Sequence, residues 1–391
     1  MIGARIRQAR LLAGMSQQDV ADALGRADIS VQKANVSGFE RGKTVPDTSV
    51  LLALSRFFNV PLVWLKHDPN LDVNWLAYRK RTALPAKTRE AIENFARDVA
   101  ELNLDLRNIL SLNSEVNFPE RINVNSLEAA EEAAGALRSE WGMGDEPIAS
   151  LTQTAEENGV IVLEWDRPTE RFDGLSGWCE DNIPIIVTKA NVDPDRKRFN
   201  LAHELGHLVM NTPEDMPEDK VEKFAHRFAG ALLVPQEAAR RELGEQRNSI
   251  SFAELGTLKR RYGLSMQGWM YRARDLGIVS PRLAHIFWLE VSRRKWRKNE
   301  PYPVSCDEEP TRLDEMILQA SENELVSDER VLQALPHYEF PVPVIETDEF
   351  PTTTEFLGMS EEEQEYWMQR SYELAEDLDI EVFEAFGEEE F

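Results

Sequence analysis

The sequence predicts a mostly α protein with a small β-sheet: an N-terminal bundle of short helices, a central α+β region and an acidic C-terminal extension. Three observations carry this. Apolar residues recur at helical spacing through residues 3–65, again from about 86 to 112, and over most of the centre. Two short apolar runs, Val160-Ile161-Val162-Leu163 and Ile183-Pro184-Ile185-Ile186-Val187, read as strands. The charge is also unevenly placed. The 391 residues carry a net −26, yet residues 300–391 hold 28 Asp/Glu against 3 Lys/Arg, and the first 299 hold 42 acids against 41 bases. At about 100–200 residues per domain, boundaries are expected at 1–68, 69–125, 126–299 and 300–391.

Composition excludes several classes. Gly and Pro number 20 each, ordinary usage that argues against fibrous or low-complexity chains. No run of 18 apolar residues occurs and the N-terminus has no signal-peptide core, so no membrane association is expected. The two cysteines, Cys179 and Cys306, stand in no metal or redox spacing, which fits a reducing cytoplasm.

Residues 3–65 read as five helices broken at Gly14, Gly25, Gly42 and Pro46, with Ser16 and Asp19 forming a helix start. Residues 1–66 carry nine Lys/Arg against five Asp/Glu. The phrases Gly14-Met15-Ser16-Gln17-Gln18-Asp19-Val20-Ala21, Leu24-Gly25 and Asn35-Val36-Ser37-Gly38-Phe39-Glu40-Arg41-Gly42-Lys43 resemble the lambda-repressor-like helix-turn-helix family called Xre. The resemblance implies binding of double-stranded operator DNA through a recognition helix at about Val31–Phe39. Gln32, Lys33, Asn35 and Ser37 would contact base edges or nearby phosphates, and Arg41 and Lys43 would lie on the phosphate side. Fourteen residues separate Leu24-Gly25 from Glu40-Arg41-Gly42, about five more than that family's usual spacing, so the turn before the recognition helix is longer. A bundle that binds protein instead of DNA stays open.

A longer helix is expected from about 86 to 112. Ile92, Phe95, Val99, Leu102, Leu106 and Ile109 form a heptad seam of about two and a half repeats. It suits either a dimer interface or packing on its own domain; repressors of the Xre type read two half-sites, which makes a homodimer the expected state. Residues 113–125 read as a loop. In the centre, helices are expected at Ser126–Trp141, Ile148–Asn158, and about 195–211, 218–232, 252–261 and 266–276, ending at the basic cluster Arg293–Lys298.

The segment Arg198-Phe199-Asn200-Leu201-Ala202-His203-Glu204-Leu205-Gly206-His207 contains H-E-x-x-H on a predicted helix. Residues four apart share a helix face, so His203 and His207 can bind one metal ion, and Glu204 is placed to take a proton from an attacking water. On the next predicted helix, Val221, Phe224, Phe228 and Leu232 mark the core face, with Glu222 beside it and His226 one turn on. A glutamate on a second helix after H-E-x-x-H is the gluzincin arrangement that thermolysin uses.

Together with Phe224-Ala225, Leu232-Leu233-Val234-Pro235, Gly174-Leu175-Ser176-Gly177 and Tyr262-Gly263-Leu264-Ser265, these phrases resemble the ImmA/IrrE family of bacterial metallopeptidases over about residues 126–280. The resemblance implies a zinc ion held by His203, His207 and Glu222, with Glu204 as general base. His226 stands where family members commonly have Asn or Asp. It would orient His207, donate to the oxyanion, replace a ligand, or be a buried histidine with none of these roles. The strand Ile183–Val187 would take an extended peptide by edge addition, with Pro184 on the side lacking a ladder bond.

Residues 300–391 hold eleven aromatics, too many for a solubilising tail, and Ser360 with Glu363 reads as a capping box opening a helix toward Leu378. Docking of this segment on a basic surface of the body is one expectation; an outward-facing partner-binding module is the other. The functional expectation is a DNA-binding regulator fused to a zinc endopeptidase that cuts a regulatory protein. The rival is a repressor or antitoxin, bound to a cognate toxin, whose peptidase fold senses or scaffolds without turnover.

Overall fold

Capping chemistry sets the helix boundaries of the N-terminal bundle. Ser16 Oγ accepts from Asp19 N at 3.2 Å and Asp19 Oδ2 accepts from Ser16 N at 2.7 Å, a reciprocal cap. The computed structural model describes residues 2–67, 71–76, 84–112, 116–169, 172–180, 182–305 and 307–340, and further on 359, 360, 364 and 366–368. The chain divides into two units, Met1–Tyr338 and Glu339–Phe391. In the second, Gln364 and residues 366–368 are helical, and most of the helix expected from Ser360 lies outside the described residues.

The first unit runs α1 (Ile2–Leu12), α2 (Gln17–Arg26), α3 (Lys33–Glu40), α4 (Thr48–Phe58), α5 (Leu62–Lys66), β1 (Val73–Trp75), α6 (Ala86–Ile109), β2 (Ile122–Asn123), α7 (Leu127–Glu140), α8 (Leu151–Glu157) and β3 (Ile161–Trp165). It continues with β4 (Gly174–Cys179), β5 (Ile183–Lys189), α9 (Pro194–Val209), β6 (Met210–Asn211), α10 (Glu218–Leu233), α11 (Gln236–Leu243), α12 (Phe252–Tyr262), α13 (Met266–Asp275), α14 (Pro281–Arg293), α15 (Arg312–Glu322) and α16 (Asp328–Ala334). The expected mostly α fold with a small sheet is what forms. Among the described residues, no helix is long and apolar enough to cross a membrane.

The bundle α1–α5 closes over Ile6, Val20, Leu24, Val36, Leu54 and Trp64. It docks on α6 through a buried pair, Arg5 Nη1 to Asp98 Oδ2 at 2.5 Å, and through His67–Glu101 at 2.8 Å and Arg7–Glu90 at 2.6 Å. The heptad seam of α6 is spent inside the chain: Ile92, Val99, Leu102 and Leu106 are at most 1% exposed, Phe95 is half-buried against Trp165, and Ile109, at 38%, reaches the surface. Packing on its own domain wins, so this seam offers no dimer interface.

The main sheet has the order β1-β4-β5-β3, with β3 and β5 parallel and β4 antiparallel to both its neighbours. Side chains alternate across it. Leu163, Leu175, Ile185 and Val187 face α6, while Val162 and Ile186 join the larger core under α9 and α10. Two expectations change here. The run Ile183–Val187 is β5, an inner strand, so it has no free edge for a peptide. Pro184 lies one residue outside the β3 pairing, which begins at Ile161↔Ile185, so its missing N–H removes no bond to β3. The loop expected at 113–125 also contains β2, which pairs with β6.

The acidic stretch does not leave the body at residue 300. Glu300 is buried and accepts from Met266 N at 2.8 Å and Gln267 N at 3.0 Å, capping α13. Glu308 does the same for α8 through Leu151 N and Thr152 N. Lys197 bridges Glu164 and Glu309, both at 2.6 Å. The basic partners are thus Lys197, Arg198 and Lys259. In the cluster Arg293–Lys298, Arg293 and Arg294 pair locally with Glu290.

Glu156, at the end of α8, accepts from Thr311 N at 3.3 Å. Burial pushes its carboxyl up to about 7, against donation from the Thr311 and Arg312 backbone. A carboxyl raised on folding contributes stability that is complete below its unfolded value near 4.5 and is lost as pH rises through about 7. Glu156→Gln, which stays neutral, should therefore flatten the fall in Tm between pH 5 and pH 8 in calorimetry. A fall as large as in the unmodified chain would assign that loss to another group.

Candidate metal centre and helix-turn-helix

Helix α9 carries His203 and His207 one turn apart, and α10 packs beside it with Phe224, Ala225, Phe228 and Leu232 in the core. That packing brings Glu222 to the histidine pair. His203 Nε2 and His207 Nε2 are 3.1 Å apart, and they lie 3.3 Å and 3.5 Å from Glu222 Oε2 and Oε1 respectively. Among the described residues these three form a cluster of convergent metal-ligand donors. The two imidazoles are 7% and 8% exposed and the carboxylate 27%, so the cluster opens on the Glu222 side. Burial raises the Glu222 carboxyl, but hydrogen bonds from both histidines, with their charge, hold it far below the usual carboxylate range.

Glu204 points to another face of α9, toward the sheet. It is 1% exposed, and its Oε2 accepts from Ser176 Oγ on β4 at 2.8 Å. A Cβ at Gly174 would stand 2.8 Å from Glu204 Cγ, so a glycine on β4 is what lets this side chain lie against the strand. His226 is exposed, not buried. Its ring stacks on Phe199 at 5.8 Å and lies 4.7 Å from the ring of His203.

In the bundle, α2 and α3 form the helix-turn-helix, with α3 beginning two residues later than expected. Gln32 is its N-cap residue, and Asn35 Oδ1 accepts from Gln32 N at 3.0 Å, which occupies part of that side chain in capping. Gln32, Lys33, Asn35, Arg41 and Lys43 are exposed and Ser37 is half-buried. Arg41 Nε folds back to donate to Ser37 O at 3.0 Å.

Residues 155–274 match the IrrE N-terminal-like domain of a peptidase family, and residues 6–65 match a helix-turn-helix family. The chain joins these two modules. No curated protein matches it. The IrrE-like segment contains α9, α10 and β4, hence every residue of the cluster. The helix-turn-helix segment contains all six expected DNA-contact positions.

Several positioning residues escaped sequence reasoning. Ser176 and Gly174 lie in the Gly-x-Ser-Gly run that opens β4, and that run is the signal they carry in the sequence. Arg10 and Glu40 had none. Arg10 Nε meets Glu40 Oε1 at 2.5 Å in a buried pair, Arg10 Nη1 donates to Met15 O at 2.9 Å, and Gln17 Nε2 donates to Glu40 Oε2 at 2.7 Å. This pair locks α1, the start of α2 and the end of α3 together. Removing one partner of such a pair costs about 3–5 kcal/mol. Glu40→Ala should lower bundle stability by that order in urea unfolding, and a loss below about 1 kcal/mol would mean the pair is not what fixes α3.

Proposed function

We propose that the protein is a DNA-binding transcriptional regulator whose IrrE-like domain is a zinc-dependent endopeptidase acting on a regulatory protein in the cytoplasm. The observation that carries this is the triangle of His203, His207 and Glu222. A tetrahedral site with ligand bonds of about 2.0–2.1 Å has edges of about 3.3–3.4 Å. The 3.1 Å between the two histidine nitrogens is close to such an edge, and Glu222 comes within 3.3 Å of one through Oε2 and 3.5 Å of the other through Oε1; three protein donors leave one position open.

Zinc, when bound, supplies a Lewis acid that polarises the scissile carbonyl and acidifies water. The chain's own residues do the rest. Glu204 takes the proton of the attacking water at Oε1 while Ser176 holds Oε2, then passes it to the departing amine. His226, exposed beside His203, donates a hydrogen bond to the carbonyl oxygen as charge builds there. On the DNA side, Lys33, Asn35, Gln32 and Ser37 approach the major groove from α3, and Arg41 and Lys43 contact phosphate. Two copies read two half-sites about one helical turn apart, joined through a surface other than the α6 seam.

Metal analysis of the purified chain should find about one zinc, lost in the double variant His203→Ala/His207→Ala and kept in Glu204→Gln. Full occupancy in the double variant would overturn the assignment. New protein N-termini should arise in a cell extract treated with the zinc-loaded chain but not with Glu204→Gln. Zinc binding without such cleavage would favour the regulator or antitoxin whose peptidase fold does not turn over.

Binding to a DNA site selected from a random library should weaken in Lys33→Ala and Arg41→Ala. It should also fall steeply with salt, because phosphate contacts release counterions. Unchanged affinity in both variants would remove α3 from the interface.

A further inference from the structure

We propose that residues Leu71–Leu76 occupy, within the same chain, the sheet edge that a substrate peptide must use, so that substrate has to displace β1 and the unmodified chain cleaves more slowly than one whose edge is free. This rests on the peptidase reading above and names what stands in its cleft. β4 is the strand against the general base: Ser176 holds Glu204, and Gly174 lies under it. One side of β4 bonds to β5. The other is the edge where an extended peptide beside Glu204 would gain main-chain bonds.

That edge is taken. Val73, Asn74 and Trp75 pair antiparallel with Cys179, Trp178 and Gly177. The ladder runs on at both ends, with Glu180 N donating to Asp72 O at 3.3 Å and Leu76 N donating to Ser176 O at 3.0 Å. The second bond is decisive, because it lands on the residue that holds the base. β4 also lacks a side chain where the incoming backbone is tightest. A Cβ at Gly177 would stand 2.7 Å from Asn74 O and 2.9 Å from the Trp75 ring.

The occupant is short, although Leu71 and Val73 are buried and Leu76 packs on the larger core. β1 is three residues long, and Val73 and Trp75 pack with the α6 core on one face. Its open edge borders a cavity of about 1260 Å³ lined by Leu71, Asn74 and Leu76 with Phe118, Trp178 and Arg107 of α6. Without β1, the strands β4-β5-β3 still form a sheet covered on both faces. A short tether holds a segment at an effective concentration in the millimolar range, so a free peptide of equal quality cannot displace it at micromolar levels.

The test uses the full chain and a fluorescein-labelled peptide, Leu-Asp-Val-Asn-Trp-Leu, with the sequence of residues 71–76. Ladder bonds alternate, and those at Asp72 and Leu76 place Asn74 at a bonded position, so Asn74→Pro removes an N–H that β1 needs. Fluorescence anisotropy should show the peptide binding at least tenfold tighter to Asn74→Pro than to the unmodified chain. Hydrogen exchange at the Ser176, Trp178 and Glu180 amides should speed up in the variant and slow again with peptide. If circular dichroism shows Asn74→Pro misfolded, Val73→Asp, which places a charge in the α6 core, serves in its place.

Affinities equal within twofold, or unchanged exchange at β4, in a folded variant would overturn the proposal. Binding is read without turnover, which separates the two readings. Tenfold tighter binding in a variant that cleaves nothing supports the occupied edge and counts against the peptidase. Cleavage that is equal in the unmodified chain and in Asn74→Pro supports the peptidase and overturns the occupied edge.

Discussion

One buried guanidinium, five residues before the first histidine, holds the helix of the His203–His207 pair in place. Arg198 is 2% exposed and donates to Glu308 Oε1 at 2.6 Å, Ile148 O at 2.9 Å, Ala149 O at 2.7 Å and Tyr262 O at 3.1 Å. Three separate segments thus meet on α9: the approach to α8, the end of α12 and the chain beyond α14. Arginine suits the task because its planar fork directs several donors at fixed angles. The lone pairs of Glu308 left over by Arg198 accept from the first amides of α8 and from Thr152 Oγ1 at 2.9 Å, so the buried pair is fully bonded. The rotation of α9 about its axis follows from this anchor. Once it is fixed, His203 and His207 face α10 and Glu204 faces β4.

The same anchor shows what the described first part of the acidic end does. Counted along the sequence, its charge suggests a broad attraction to a basic surface. In the fold, individual carboxylates do particular work. Glu300 and Glu308 satisfy helix amides that would otherwise be orphaned, and both are buried with a cationic partner. Arg330, one of the few cations of this stretch, pairs with Asp105 of α6, against the expected direction of charge. A net count cannot separate acids that cap helices from acids that face water.

Features set by local spacing were legible in the sequence. The i, i+4 histidine pair, the Ser16–Asp19 cap and the core stripe of α10 from Phe224 onward, with Glu222 beside it, follow from local spacing, while Val221 at the head of that stripe is only half-buried. Features set by a distant partner were not. Val73-Asn74-Trp75 is a strand because β4 offers it amides and carbonyls across about a hundred residues of chain. Ile183–Val187 looked the same as an edge or an inner strand, since an apolar run does not say how many neighbours it has. The α6 seam fitted a dimer or its own sheet equally, and only the position of the sheet decided it. His226 is one turn from Glu222 on α10, and its exposure beside His203 depends on Phe199 of the neighbouring helix.

The two modules share one body, and this bears on how one could govern the other. The DNA-binding bundle is fixed to α6 by Arg5–Asp98, with both side chains 2% exposed, and α6 covers the face of the sheet opposite α9. β1 follows α5 in the chain and ends at Ser176, beside the proposed base. A shift of the bundle relative to α6 would have to part Arg5 from Asp98, and the loss of that buried pair opposes it. A ligand moves such an equilibrium only by its difference in affinity for the two states, and about 5.5 kcal/mol carries a 1:99 balance to 99:1. DNA that bound both arrangements equally would therefore leave the edge covered, however tightly it bound. If β1 is to leave its edge as proposed, the Arg5–Asp98 pair opposes any shift of the bundle that an operator, or a protein partner pressing on α1, would drive.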